Sequence, residues 1–187
     1  DAAHAPGAAL DDRMVGTMGD IGCFSFFSNK NLATGEGGII VTDREDLADR
    51  LRIIRSHGMT TLTWDRHQGH AHSSDVVDLG YNYRIDEIRS ALGLVQLDKL
   101  AQNNERRREL DAEYRRLLTG FPGLVLPFSH HPGTSACHLA VVVLDEGVDR
   151  RSVIERLREQ GIQTSIHYPP IHQFSYYRQR LGNWPGT

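Results

Sequence analysis

An α/β fold is predicted by three features of this 187-residue chain. Two short apolar strands meet a glycine-rich turn near the N-terminus, an unusually long helical span fills the middle, and a strand, helix, strand order closes the sequence. The composition agrees: 39% hydrophobic and 24% charged residues with only 7 Pro exclude a disordered or fibrous chain and leave enough apolar material for a core. Lys plus Arg at 21 against Asp plus Glu at 24 gives a net charge of −3, which offers no attraction to nucleic acid or to an anionic membrane surface. No apolar run approaches the roughly 20 residues of a membrane helix. The two cysteines, Cys23 and Cys137, form no CxxC pair, so a disulfide scaffold is not expected and a reducing cytosol is. No signal-peptide pattern occupies the first residues, and a cytoplasmic location is expected.

The elements follow in order. Residues 21–27 (IGCFSFF) read as an aromatic-rich strand, and residues 38–42 (GIIVT) as a second strand after Gly35-Glu36-Gly37-Gly38. A polar loop holding Lys30 lies between them. A helix is predicted over 44–56, with Leu47, Leu51 and Ile54 at i, i+4 and i+7. Residues 58–83 show no period. The span 86–118 carries two apolar stripes, Ile88, Leu92, Val95 and then Leu110, Tyr114, Leu117, Leu118, so it is either one long bent helix or a helix broken near Gln102-Asn103-Asn104. Thr119-Gly120-Phe121-Pro122-Gly123 stops it. Residues 138–144 (HLAVVVL) read as the clearest strand. A helix over 150–160 follows, with Asp149 as N-cap and Gly161 at its C-terminal end. A last strand spans 163–168 and ends at Pro169-Pro170. The division into domains is expected near residue 85: residues 1–84 in one, and residues 85–187, the long helix and a smaller α/β part, in the other.

Lys30 is the first chemistry-bearing candidate. A lysine at the end of an apolar strand loses hydration if it points into a cleft, which lowers its pKa and frees the amine for covalent chemistry with a carbonyl. Ser25 stands five positions upstream among Phe24, Phe26 and Phe27, where its hydroxyl can meet an anion or simply face outward. Three glycines in residues 35–38 allow a backbone to approach a ligand closely, or form a tight turn. They match neither GxGxxG nor GxxxxGK[ST]. Asp1 and His4 pair a carboxylate with an imidazole across two alanines, an arrangement that admits a planar ligand; a carboxylate there can keep a pyridinium nitrogen protonated.

Taken together, Asp1-Ala2-Ala3-His4-Ala5, Gly19-Asp20-Ile21-Gly22, Phe24-Ser25-Phe26, Asn29-Lys30-Asn31-Leu32, Gly35-Glu36-Gly37-Gly38 and Arg55-Ser56-His57-Gly58 resemble the DegT–StrS family of pyridoxal-phosphate-dependent nucleotide-sugar aminotransferases. Gly80-Tyr81-Asn82-Tyr83-Arg84, ALGLVQL at 91–97 and His167-Tyr168-Pro169-Pro170-Ile171-His172 extend the likeness over nearly the whole chain. The resemblance implies an aspartate-aminotransferase-like fold. Residues 1–84 would be the end of the cofactor-binding large domain, with its mixed, mostly parallel sheet, followed by the long helix and part of a small α/β domain. It implies an enzyme that uses pyridoxal 5'-phosphate (PLP) to move an amino group from glutamate to a keto group of a nucleotide-activated sugar. By the same resemblance Lys30 is the lysine that holds the cofactor and shuttles protons, and Asp1 pairs with the pyridine nitrogen. His4 lies near the ring hydroxyl, Ser25 binds the phosphate, and Asn82 reaches the phosphate from the neighbouring subunit of a homodimer. His167 and Tyr168 lie on the sugar side. Relatives with His in place of the lysine act as dehydratases, a branch that Lys30 argues against.

The family's sequence also leads to the expectation that the chain is a central segment. The first sheet strands, a phosphate-cupping helix N-terminus and a ring-stacking aromatic would precede residue 1, and a closing strand and helix would follow residue 187. Two rival readings stand beside this one. The fold could serve as a non-catalytic sugar-binding or regulatory module, against which the presence of both Lys30 and Asp1 speaks. Alternatively His67, His70 and His72, with Asp65 and Asp75 nearby, could form a metal-binding domain, although their spacing fits no established zinc pattern; no metal is expected. The Arg106-Arg107-Arg108 and Arg115-Arg116 clusters interleave with acids at helical spacing and read as a solvated face.

Overall fold

A computed structural model describes residues 1–60 and 75–182. The chain forms two units, Asp1–Val143 and Leu144–Thr187. The first begins with a hairpin that the sequence reading did not anticipate. Strands β1 (Ala9–Leu10) and β2 (Arg13–Met14) pair antiparallel, and Asp11 and Asp12 between them both take positive φ, at 48° and 60°. Such a two-residue turn needs left-handed backbone, which aspartate tolerates better than most residues.

The two expected N-terminal strands are present and shorter at their ends. Strand β3 (Gly22–Ser25) pairs antiparallel with β4 (Gly38–Val41), in the register Gly22↔Val41 to Ser25↔Gly38. Past Ser25 the two chains stay tied: the Phe26 N–H donates to the Gly37 carbonyl, the Thr34 N–H donates to the Phe26 carbonyl, and Phe27 and Gly35 form an isolated parallel bridge. Residues 26–37 are thereby a loop closed at its neck. Gly37 sits at φ +138°, and a Cβ there would lie 3.1 Å from Thr34 Oγ1, so the position calls for glycine.

Helix α1 (Glu45–Ile54) follows, within the expected span. Beyond it the chain returns at residues 81–83. Tyr81 N–H donates to the Ile54 carbonyl, His57 N–H to that of Tyr81, and Tyr83 N–H to that of Arg55, with Ser56 and Asn82 forming an isolated antiparallel bridge. Helix α2 (Glu87–Leu118) is continuous for 32 residues, with the Asp86 carboxylate accepting from the Arg89 N–H as its cap. Of the two alternatives for this span, the break near 102–104 does not occur: Asn104 sends its side chain to other segments rather than competing for its own helix backbone. Short strand β5 (Leu124–Val125) lies beyond the helix.

Two expected strands are corrected. Of residues 138–144 only Val143–Leu144 form strand, β6, and residues 163–168 form no ladder among the described residues. A β-prone run becomes a strand only where a neighbour supplies hydrogen bonds, and composition does not report the neighbour. In the second unit, helix α3 (Arg150–Glu159) starts at Asp149, whose carboxylate accepts from the Arg151 N–H, and the chain leaves it through Gly161 at φ 77°, as the sequence predicts. A single 3-10 turn (Ile171–Gln173) and helix α4 (Ser175–Leu181) complete the unit. No helix among the described residues is long and apolar enough to cross a membrane. Cys23 and Cys137 are free thiols.

Candidate active site

Lys30 stands half-buried in the closed 26–37 loop, its N–H donating to the Phe27 carbonyl across a tight turn. Ser25, the last residue of β3, accepts from the Phe27 N–H at 3.3 Å through Oγ. That contact uses a lone pair and leaves the hydroxyl proton available to donate. The Asp1 segment lies alongside β3, since the Ala2 N–H donates to the Cys23 carbonyl at 2.9 Å. The Asp1 carboxylate is exposed and accepts from the Ala3 N–H through Oδ1, and its second oxygen remains an acceptor.

Asp1 and His4 line one cavity of about 550 Å³, whose opposite wall is residues 135–139 with Phe128. Its walls are mostly small: Ala2, Ala3, Ala5, Ala8 and Ala136 leave room for a flat molecule. Lys30 and Ser25 are not among the lining residues, but the residue next to Lys30 is bonded to that wall. Asn31 Nδ2 donates to the Ala136 carbonyl at 2.7 Å and to Asn104 Oδ1 at 2.9 Å, and Asn31 Oδ1 lies 2.9 Å from His138 Nδ1. Asn104, from the middle of α2, donates through Nδ2 to the Pro6 carbonyl at 2.8 Å. His138 in turn packs on His4, ring centroids 4.2 Å apart and tilted by 47°. One polar network thus joins the Lys30 loop, the Asp1–Pro6 segment, α2 and residues 136–138. Asn31, Asn104 and His138 are the functional candidates that the sequence reading missed as such. A polar residue at the centre of a long helix and an asparagine beside a reactive lysine were the only signals, and neither names its partner.

Asn82 is placed elsewhere. It is exposed at the bridge to Ser56, accepting from Arg84 Nε at 3.2 Å, and it does not line the Asp1–His4 cavity. His167 and Tyr168 belong to the second unit, their rings 4.4 Å apart, with Ser165 Oγ 3.3 Å from His167 Nδ1. His67, His70, His72 and Asp65, the residues of the metal-binding alternative, lie outside the described residues. Among the described residues no group of three metal-ligating side chains comes together. Four arginines of α2 are paired along the helix, Arg106 with Glu109, Arg108 with Glu105, Arg115 with Asp111 and Arg116 with Glu113. The bond from Arg116 holds the Glu113 carboxyl below its ordinary pKa and raises that of the guanidinium.

The chain matches known proteins over its full extent. The model of the DegT/DnrJ/EryC1/StrS aminotransferase family matches residues 1–187. The chain is 40% identical to the spore coat polysaccharide biosynthesis protein SpsC of Bacillus subtilis (strain 168), over 97% of this chain and 48% of that protein. Among solved structures it is similar to Helicobacter pylori PseC, an aminotransferase involved in the biosynthesis of pseudoaminic acid, at 30% identity and a TM-score of 0.89, covering 99% of this chain and 48% of PseC. It is also similar to Spr1654 of Streptococcus pneumoniae in its PLP form, at 28% identity and a TM-score of 0.85, covering 98% of this chain and 46% of that one. The chain therefore spans about half the length of the relatives it matches. With its mixed α/β elements following those structures and the family's pattern running through both units, the chain belongs to the DegT/DnrJ/EryC1/StrS aminotransferase family.

Proposed function

We propose that this chain carries part of the active site of a PLP-dependent enzyme that moves an amino group from glutamate to a keto group of a nucleotide-activated sugar, in amino-sugar or polysaccharide biosynthesis. The observation that carries the reading is the pinning of the Lys30 loop, through Asn31, to the wall of the cavity lined by Asp1 and His4. The donor set suits the cofactor chemically. The cavity of about 550 Å³ falls within the range of small-molecule sites. Asp1 offers a carboxylate oxygen to a ring nitrogen, and Ser25 keeps a hydroxyl proton for a phosphate oxygen.

When bound, PLP supplies an electron sink for charge left by a departing proton. The work of this chain's residues is then local. With PLP bound, Lys30 would hold it, and its amine would take and return a proton at Nζ. The Asp1 carboxylate keeps the ring nitrogen protonated by placing a fixed negative charge beside it. His4 would serve the ring hydroxyl, and Ser25 would donate to the phosphate. Asn82, exposed on the outer face of the first unit, suits a role in a neighbouring subunit's site and so a homodimer. His167 and Tyr168, in the second unit, are assigned to the sugar by the family resemblance alone. The two free thiols fit a cytoplasmic enzyme.

The test is made with the chain expressed together with any sequence that flanks it in its own reading frame. Borohydride treatment in the presence of PLP is expected to leave a covalent adduct on Lys30. Lys30→Ala is expected to lose the adduct and roughly 10²–10⁴-fold of amino transfer from glutamate to a nucleotide-linked keto sugar. Transfer retained in Lys30→Ala overturns the assignment.

A further inference from the structure

The network behind the cavity has determined polarity. Main-chain carbonyls only accept hydrogen bonds, so the asparagine side chain that meets one must present its amide nitrogen. Asn104 meets the Pro6 carbonyl and Asn31 meets the Ala136 carbonyl, which fixes both amide groups in one orientation. Asn104 Oδ1 then accepts from Asn31 Nδ2, and Asn31 Oδ1 is left facing His138 Nδ1. An amide oxygen cannot donate, so His138 Nδ1 must carry the proton. Two backbone carbonyls thereby set the tautomer of a histidine at the far end of the chain of bonds. Both asparagines are buried, and a reversed amide would turn its oxygen onto a carbonyl oxygen, acceptor facing acceptor, without water to relieve them.

We propose that His138 is a positioning residue. Held by Asn31 in its Nδ1–H form, it fixes the His4 imidazole in the cavity wall, so that the loop bearing Lys30 and the ring-side histidine are set by one side chain. Asn31 follows Lys30 directly, and its three bonds anchor that loop on α2 and on residues 136–138. The His138 ring, 4.2 Å from that of His4 and tilted to it, packs against the imidazole and restricts its rotation. Any displacement of the Lys30 loop is passed to His4 through this path, and the reverse holds as well. The inference deepens the function proposed above and rests on it for the identity of the ligand, but the tautomer and the packing are properties of the protein without ligand.

Two substitutions separate the parts. His138→Asn keeps a donor near the Nδ1 position and loses the ring, whereas His138→Phe keeps a ring and loses the donor. In ¹⁵N-histidine-labelled protein without PLP, at a pH where the ring is neutral, His138 is expected to show the Nδ1–H pattern. In His138→Asn the unfolding midpoint is expected to stay near that of the unmodified protein, while the His4 resonances move and PLP binds about two- to tenfold more weakly by absorbance titration. His138→Phe is expected to unfold at lower denaturant because the buried Asn31 Oδ1 loses its donor. Should that variant fail to fold, His138→Asn carries the test alone. An Nε2–H pattern in the unmodified protein, or His138→Asn with unchanged His4 resonances and unchanged PLP affinity, overturns the proposal. Absence of PLP binding by the unmodified protein overturns instead the function on which it rests, and the tautomer measurement still decides the positioning.

Discussion

Asn104 is the largest fully buried side chain among the described residues, at 2% exposure. A buried amide is stabilising only while each of its polar atoms is paired, and Asn104 spends Nδ2 on Pro6 and Oδ1 on Asn31. Gly7 seals the arrangement. It lies at φ +83°, and a Cβ built there would clash with Asn104 Nδ2. Asn104→Ala strands the Pro6 carbonyl and one Asn31 donor, each worth roughly 1–3 kcal/mol when left unmet, so a loss of about 2–6 kcal/mol is expected. Urea denaturation checks it as a lower midpoint with an unchanged m-value. A large change in m, or no change in midpoint, would show that the network is not closed in solution. The sequence could not have exposed this role. The partners of Asn104 lie 73 and 98 positions away, and a mid-helix asparagine looks the same whether it breaks a helix or anchors it. Lys30, Asp1 and Ser25 stand out in the sequence because their neighbours carry a local pattern; Asn31 and His138 do not, because their partners are distant.

At the scale of the element, α2 reverses the usual reading of an amphipathic helix. Most residues of its apolar stripes are turned out, with Ile88 at 84% and Leu117 at 59% exposure, and the residues it buries or half-buries include Gln96, Leu100, Asn104, Arg108, Asp111 and Arg115. Periodicity reports a stripe but not what covers it. The helix start was legible for a local reason: Asp86 precedes the first turn, and a cap needs only residues within reach. Strands 138–144 and 163–168 failed for the opposite reason, as each needs a distant partner. The cap gives a pH dependence whose sign is fixed. The Arg89 main-chain N–H, aided by its guanidinium and opposed by slight desolvation, holds the Asp86 carboxyl below its ordinary pKa of 3.8. A carboxyl lowered in the folded state adds stability that is complete above the unfolded value and vanishes as pH falls through the folded one. Amide protection factors at Arg89 and Ser90 are therefore expected to fall between about pH 5 and pH 2. Asp86→Asn, which keeps a capping oxygen without a charge that titrates, is expected to flatten that step, and Asp86→Ala to lower protection at every pH. An unchanged acid step in Asp86→Asn would assign it to another group.

For the whole chain the accounting is one of surface. The accessible area is 14517 Å² for 21.0 kDa, against about 9,000 Å² for a folded monomer of that mass. Treating the two units as separate globules raises the expectation only to about 10,500 Å², so roughly 4,000 Å² remains to be covered. The apolar residues buried among those described are Ala2, Ala8, Leu32 and Ala136, whereas Ile39, Ile40, Leu92, Val95 and Tyr114 stand about half exposed or nearly so. Side chains of this kind left to water go beyond the scattered apolar residues that monomers expose, and the chain spans about half the length of its relatives. The hydrophobic contribution to its stability is therefore available mainly through contacts with further polypeptide. With a net charge of only −3, electrostatic repulsion does little to keep copies apart. The 187-residue chain on its own is accordingly expected to enhance ANS fluorescence strongly and to sediment with an average mass that rises with concentration. Charged substitutions on the outward face of α2, such as Leu94→Glu, should reduce both effects without loss of helix in far-UV circular dichroism, because that side chain is exposed already. A monodisperse 21.0 kDa species without ANS enhancement would mean that the chain covers these faces by itself, and that its apolar stripes have found partners within the 187 residues.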